Sequence, residues 1–213
     1  MATEVTDIHE QSERARQWFQ QNGFSVLIGI AAALALIFGY QSWQQRQQTQ
    51  RIMASTIYQQ AADAHQKEDF ELQGRLVQSL KDNHGNTVHA VLGALLQAKT
   101  FADKDELEAA ETELRFAVDK ARSAELRDLA RLRLALVQTA RGNHAAALAT
   151  LAAVQSTGYR ALVAEQRGDI HRLDGKVSEA RAAYADALTQ LEVGAPGREL
   201  LQQKLDSLGG SDA

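Results

Sequence analysis

An uncharged apolar stretch close to the N-terminus, from Gly23 to Trp43 (GFSVLIGIAAALALIFGYQSW), limits what this chain can fold into more than any other feature. As a helix it would extend over roughly 30 Å, the thickness of the hydrocarbon core of a bilayer. Its Val, Leu, Ile and Phe side chains each favour insertion by roughly 0.3–0.6 kcal/mol, and no charge opposes insertion. Trp18 and Phe19 lie before the stretch, and Tyr40 lies at its end, as is typical of aromatic residues at a membrane interface. We therefore predict a membrane-spanning helix.

Two other interpretations explain this segment less well. A cleaved signal peptide has a basic start, a shorter apolar core and small residues at its cleavage site. Here the preceding residues include four acids, and the bulky Phe38 and Tyr40 follow the alanines. A buried core helix is rarely apolar on all sides over such a length in a chain of this size.

The residues before the span leave two questions open. Val5, Ile8, Ala15 and Phe19 are spaced at roughly helical intervals, which fits a short amphipathic helix at the membrane surface, but a solvated tail fits equally well. Two arginines precede the span and two follow it closely. The count of basic residues on the two sides is therefore a tie, and the residues alone do not orient the helix.

Small residues recur at every fourth position within the span, at Ala31, Ala35 and Gly39. Such a stripe allows another helix to approach closely in lipid. We predict a transmembrane packing face there, with the general abundance of alanine in this chain as the alternative explanation.

The composition outside the span favours an all-α fold. Alanine, leucine, glutamine, glutamate and arginine dominate, and the single proline is Pro196. The chain has no cysteine, which excludes disulfides and thiolate chemistry. The formal net charge is −4, and no basic face is large enough to suggest a nucleic acid partner.

The chain repeats from Asn86 onward. Three predicted helices carry a small residue followed one turn later by a larger apolar residue, and the small residues are 37 and 33 residues apart, close to the tetratricopeptide period of about 34. These helices are Asp105 to Val118, with Ala110 and Leu114; Asn143 to Val154, with Ala147 and Leu151; and Lys176 to Leu188, with Ala180 and Tyr184. The close-contact residues of the preceding helices are Ala98, Ala135 and Gly168.

Further elements complete the predicted array. A weaker pair covers residues 50–83, with a helix from Phe70 to Lys81 and a turn from Asp82 to Gly85. After Pro196, the leucines of Arg198 to Leu208 suit a terminal capping helix. We predict about four degenerate tetratricopeptide-like hairpins and a cap. An unrelated array of helical hairpins is the alternative, because the usual aromatic residue near the start of each first helix is missing.

No pattern in the sequence is typical of catalysis. The six histidines are scattered, and none forms a zinc motif. No nucleophile elbow, P-loop or dinucleotide-binding motif occurs. We expect no enzymatic activity, no cofactor and no metal site.

The repeats instead suggest a binding surface. The first helices of tetratricopeptide pairs line a concave groove, which could receive an amphipathic or unfolded apolar segment. The repeat phase assigns ten residues to this groove: Leu92, Leu95, Lys99, Leu129, Leu132, Leu136, Leu162, Glu165, Asp169 and Arg172. Two alternatives remain open, a C-terminal helix that fills the groove and a phase that is off by one residue.

The chain as a whole resembles a known family, the YfgM-type ancillary subunits of the SecYEG translocon. The resemblance rests on Trp18–Phe19, Asn22–Gly23, Gly39–Tyr40, Trp43, Ala54–Ser55, Tyr58–Gln59, Asp105–Ala110, Leu132–Ala135 and Arg167–Gly168. It implies a bacterial inner-membrane protein with a cytoplasmic N-terminus and a periplasmic tetratricopeptide-like domain. It also implies association with SecYEG and with the membrane-anchored periplasmic chaperone PpiD.

We accordingly expect a cytoplasmic tail (residues 1–22), a transmembrane helix (23–43), a periplasmic domain (44–208) and a disordered tail (209–213). Our hypothesis is a membrane-tethered interaction module that assists periplasmic chaperones with unfolded, newly translocated polypeptides. The alternative is a structural scaffold or oligomerisation subunit of another envelope assembly, without client handling.

Overall fold

A computed structural model describes residues 3–209, apart from the side chains of residues 3–15, 17, 19, 21–23, 26 and 30. The contacts divide the chain into two units, Met1–Gln50 and Arg51–Ala213. Of the predicted C-terminal tail, residues 210–213 lie outside the described part of the chain.

The described residues of the first unit lie within a long helix, α1 (Thr3–Gln66). Its large apolar side chains between Phe24 and Phe38 are 49–78% exposed wherever the structure describes them. By length and composition, Leu27–Gln66 is the one candidate membrane span among the described residues, and its apolar window is entirely exposed. Seven apolar side chains of this size would not face water at such exposure without cost, so an apolar medium is their natural environment.

The leader is helical from Thr3 onward. The side chains of Val5, Ile8, Ala15 and Phe19, which would distinguish an amphipathic surface helix from a solvated tail, lie outside the described residues.

The second unit consists of short antiparallel helices, and residues 3–209 contain no strand, which confirms the all-α class. After α1, the helices are α2 (Phe70–His84), α3 (Val88–Asp103), α4 (Leu107–Lys120), α5 (Ala124–Ala140), α6 (His144–Ala152), a 3-10 turn (Thr157–Tyr159), α7 (Arg160–Leu173), α8 (Val177–Thr189) and α9 (Arg198–Ser207).

A short turn at Lys67 to Asp69 separates α1 from α2. Glu68 adopts a left-handed φ of 59°, and the Asp69 carboxylate caps α2 by accepting a hydrogen bond of 3.0 Å from the Leu72 amide. The predicted end of α2 at Lys81 is wrong, because the helix continues to His84. Side-chain bonds one turn apart stabilise this extension, from Gln78 to Asp82 (2.8 Å) and from Asn83 to the carbonyl of Ser79 (3.2 Å).

The predicted close contacts between helices are confirmed. The small residues Ala110, Ala147 and Ala180 are all fully buried. The larger partners one turn later, Leu114, Leu151 and Tyr184, are at most 2% exposed. Glycines with a left-handed φ of 77° and 73° end α5 and α7, at Gly142 and Gly175.

The buried residues of the second unit that the structure describes form a series of four clusters, and each cluster shares one helix with the next. The clusters join α1, α2 and α3; then α3, α4 and α5; then α5, α6 and α7; and finally α7, α8 and α9. Helices α3, α5 and α7, which are first helices of hairpins, therefore each contribute to two clusters. Leu201 of α9 is 1% exposed within the last cluster, so α9 is the predicted cap.

Candidate interaction surface

The predicted groove residues belong to the first helices of three hairpins, α3, α5 and α7, but they do not share one environment. Leu95 and Leu132 are each 3% exposed and are part of the core clusters. Four of the others are exposed and four are half-buried. The exposed ones are Lys99, Leu136, Leu162 and Arg172, and the half-buried ones are Leu92, Leu129, Glu165 and Asp169.

Helix α5 explains this division. One side of it packs towards α4 through Ala130, Leu134 and Val137. A second side packs towards α6 and α7 through Leu132 and Ala135. Only the remaining side can meet a partner.

That remaining side carries Leu129, Arg133 and Leu136, which follow one another at intervals of four and three residues. We call these three residues the α5 face. The side chain of Leu136 is 53% exposed, and Arg133 is also exposed. The alignment of the repeats did not assign Arg133 to the groove, although the sequence already showed its helical spacing from the two leucines.

The other arginines of α5 are engaged within the domain. Arg127 donates two hydrogen bonds to the Ala121 carbonyl, at 2.8 and 3.2 Å. Arg131 donates to Asp128 at 2.8 Å and to the Ala153 carbonyl at 2.7 Å. Arg133, by contrast, forms no hydrogen bond or ion pair with any residue that the structure describes.

The acidic end of the predicted groove is occupied by the C-terminal helix. The Lys204 ammonium of α9 donates to Glu165 at 2.8 Å and to both carboxylate oxygens of Asp169 at 2.9 and 3.0 Å. The Tyr184 hydroxyl also donates to Asp169, at 2.8 Å. Two of the ten predicted residues are thus already engaged within the chain, because they share the ammonium of Lys204.

These contacts between α7, α8 and α9 shift the pKa values of Lys204 and Tyr184. Burial disfavours the charged Lys204 ammonium, but its hydrogen bonds to Glu165 and Asp169 outweigh this effect and raise the pKa of Lys204 above its usual 10.5. Burial and the bond to the Asp169 carboxylate raise the pKa of Tyr184. At neutral pH the ammonium therefore stays charged and holds α9 against α7.

A buried carboxylate fixes α5 relative to the loop that follows α6. Asp128 is 1% exposed, and one of its oxygens accepts hydrogen bonds from the Gln155 amide (3.0 Å), the Ser156 amide (2.8 Å) and the Ser156 hydroxyl (2.6 Å). Burial raises the pKa of Asp128, but these bonds and the one from Arg131 outweigh it and lower the pKa to about 2. Sequence analysis missed this residue, because a single aspartate within a helix resembles a surface residue.

Similarity to known proteins extends over almost the entire chain. A family model described as a tetratricopeptide repeat-like domain matches residues 16–210. The "Ancillary SecYEG translocon subunit" of Escherichia coli (strain K12) is 28% identical over 203 residues, which cover 94% of this chain and 96% of that protein. Proteins with the same description from Aggregatibacter actinomycetemcomitans (29% identical, 94% and 98% covered) and Neisseria gonorrhoeae (27%, 98% and 100%) are similar to the same extent. The resemblance inferred from the sequence is confirmed.

Proposed function

Since this chain belongs to the tetratricopeptide repeat-like domain family, we propose that it is a membrane-anchored interaction module and an ancillary subunit of the SecYEG translocon. The observation that carries the proposal is similarity from end to end. The matched region begins at residue 16 and so includes the apolar segment as well as the repeats. A repeat fold alone would leave the function open, whereas anchor and repeats together match the relatives named as translocon subunits.

The finer parts of the proposal concern location and partners. We place the chain in the bacterial inner membrane as a single-pass protein, with its N-terminus in the cytoplasm and the second unit in the periplasm. There it would assist the chaperone PpiD with newly translocated polypeptides, by binding rather than by catalysis. The exposed Leu136 and Leu162 support a role in capturing apolar segments. Tethering keeps the local concentration of partners high, so each contact can be weak.

A further part of the proposal concerns the small residues of the apolar segment, Ala31, Ala35 and Gly39. All three are exposed on α1, and a Cβ atom added at Gly39 would meet no neighbouring part of the described chain within 4 Å. We propose that they contact a partner helix within the bilayer.

Co-purification tests the proposal. Full-length protein is extracted from membranes in mild detergent, and the proteins that accompany it are identified. We expect SecYEG subunits with the wild type, and loss of the chaperone and clients with Leu136→Asp combined with Leu162→Asp. Val193→Asp is the matched control, because Val193 is 95% exposed in the loop before α9 and is not one of the predicted groove residues. Recovery of a different envelope assembly without SecYEG would contradict the proposal.

Cysteine labelling tests the orientation, since the chain contains no cysteine of its own. Ser156 is unsuitable for a probe because its hydroxyl bonds to Asp128, whereas the neighbouring Thr157 is exposed. We expect Thr157→Cys to react with a membrane-impermeant maleimide once the outer membrane is permeable. Protection until the inner membrane is opened would place the repeats in the cytoplasm and overturn the proposed role.

A further inference from the structure

We propose that the α5 face binds an amphipathic peptide segment in which an acidic residue lies between apolar residues. The proposal rests on the proposed function, because it names the chemical class of partner for the same surface. It has three grounds: the two leucines of the α5 face, the unpaired Arg133, and the engagement of Glu165 and Asp169 by Lys204.

The leucines supply the apolar part of the surface. Leu129 and Leu136 are two turns apart on one side of α5, with Arg133 between them. Leu136 keeps 53% of its surface exposed, although the rest of α5 is packed on two sides. Apolar anchors spaced over two turns match the i, i+3, i+4, i+7 pattern of a partner helix that lies in a groove.

Arg133 supplies the charge that selects among such segments. Its guanidinium forms no hydrogen bond or ion pair within the described part of the chain, whereas Arg127 and Arg131 are both bonded to groups in the domain. A planar guanidinium binds a carboxylate through two parallel hydrogen bonds. Between two leucines, such a bond would be partly shielded from water once a partner covers the surface.

The acids of the neighbouring helix do not compete for Arg133. Glu165 and Asp169 of α7 are bonded to Lys204. On α5 itself the exposed Glu125 is eight residues from Arg133, about 12 Å along the helix axis. A basic segment would therefore find a free carboxylate only at the edge of the α5 face, at Glu125, one turn before Leu129, whereas an acidic segment would find a free cation between the two leucines.

Binding of two designed peptides to the full-length protein in detergent micelles tests this inference. Both fluorescent peptides carry the same leucines two turns apart, with Glu between them in one and Lys in the other. We expect the Glu peptide to bind about tenfold more tightly, as measured by fluorescence anisotropy. Arg133→Glu should reverse the preference, and Arg133→Gln should abolish it. Arg181→Glu, at an exposed site on α8, should leave it unchanged.

The outcomes separate this inference from the proposed function. Equal binding of both peptides, or an unchanged preference in Arg133→Glu, would overturn the selection by charge. The proposal that the leucines of the α5 face bind apolar segments would remain. Leu136→Ser, which removes the apolar side chain without adding a charge, should weaken the binding of both peptides. If it weakens neither, or if the wild type binds neither, the α5 face is not a binding surface, and the inference fails together with its role in the proposed function.

Discussion

The ring of Tyr184 lies directly against the backbone of Gly168, so that α8 and α7 approach each other at a point where no side chain fits between them. A Cβ atom built on Gly168 would overlap three atoms of the Tyr184 ring. The Tyr184 hydroxyl also donates to Asp169, the next residue of α7. One aromatic side chain thus sets both the spacing and the register of the last hairpin.

Gly168→Ala should lower the stability of the domain. Alanine favours a helix by about 1 kcal/mol over glycine. Overpacking, however, typically costs about 1–3 kcal/mol, and the Tyr184 ring is fully buried and has no space into which it can move. We expect a net loss in the free energy of unfolding, measured by urea unfolding of the full-length protein in detergent with circular dichroism. Gly74→Ala is the control, because its Cβ would meet only the Gln97 amide nitrogen, at 3.8 Å. A stability at or above the wild type for Gly168→Ala would contradict the packing described here.

Asp128→Asn should remove a contribution that depends on pH. The pKa of Asp128 is about 2 in the folded protein and about 3.9 in an unfolded chain, and one pKa unit corresponds to about 1.4 kcal/mol. The carboxylate therefore contributes about 2–3 kcal/mol above pH 4, and this contribution is lost as the pH falls from about 4 to about 2. We expect the variant to be less stable by a similar amount at pH 7 and to converge with the wild type in acid.

Urea unfolding at a series of pH values measures this convergence. Asp119→Asn provides the control, since Asp119 is exposed and, among the described residues, its side chain pairs with its neighbour Lys120 alone. Parallel stability curves for wild type and Asp128→Asn between pH 4 and pH 2 would contradict the prediction.

Lys204→Met should loosen the C-terminal helix. The change leaves Glu165 and Asp169 without their shared cation, and a half-buried charged group that loses its partner costs about 1–3 kcal/mol. We expect faster amide hydrogen exchange in α9 but not in α3, measured by mass spectrometry. Lys176→Met is the control, because that ammonium is 49% exposed and its pair is at the surface.

The contact between Lys204 and the two acids of α7 should weaken at high pH. Because the pKa of Lys204 is raised on folding, its contribution is complete below the ordinary value and is lost as the pH rises through the raised value. Protection of α9 in the wild type should therefore fall above pH 10.5, and Lys204→Met should not show this fall.

Gln73→Leu should destabilise the junction of α1, α2 and α3. Gln73 is fully buried and donates to Gln97 at 3.0 Å and to Thr100 at 2.9 Å, while its carbonyl oxygen lies 3.1 Å from the His65 ring nitrogen. Its loss leaves the buried carbonyl oxygen of Gln97 without its hydrogen-bond donor, at a cost of about 1–3 kcal/mol, whereas Thr100 keeps its bond to the Leu96 carbonyl. In a triple variant that also carries Gln97→Leu and Thr100→Val, urea unfolding should show that most of the lost stability returns. A triple variant as unstable as the single one would refute this.

The sequence predicted the features that repeat and missed those that occur once. Ala110, Ala147 and Ala180 recur with the period of the hairpins, so their burial followed from spacing alone. Gln73 and Asp128 each form a unique network, and in a sequence such residues cannot be told from polar residues at the surface.

The candidate surface was predicted only in part for a related reason. Repeat phase identifies which side of a helix faces the groove, but the depth of each side chain depends on the next helix. Leu132 and Leu136 were assigned alike, yet the first packs in the core with Ile170 and the second is exposed. The capture of Asp169 by Lys204 joins helices far apart in sequence, and no local pattern indicates it.

The sharing of helices between successive clusters also bears on how quickly the domain can form. Each cluster closes only the short loops between consecutive helices, so little chain entropy is lost before a contact is gained. The hairpins can therefore order in sequence from α1 towards the C-terminus, each on the one before it. A chain made gradually, or delivered gradually across a membrane, could begin to fold long before its last helix is available.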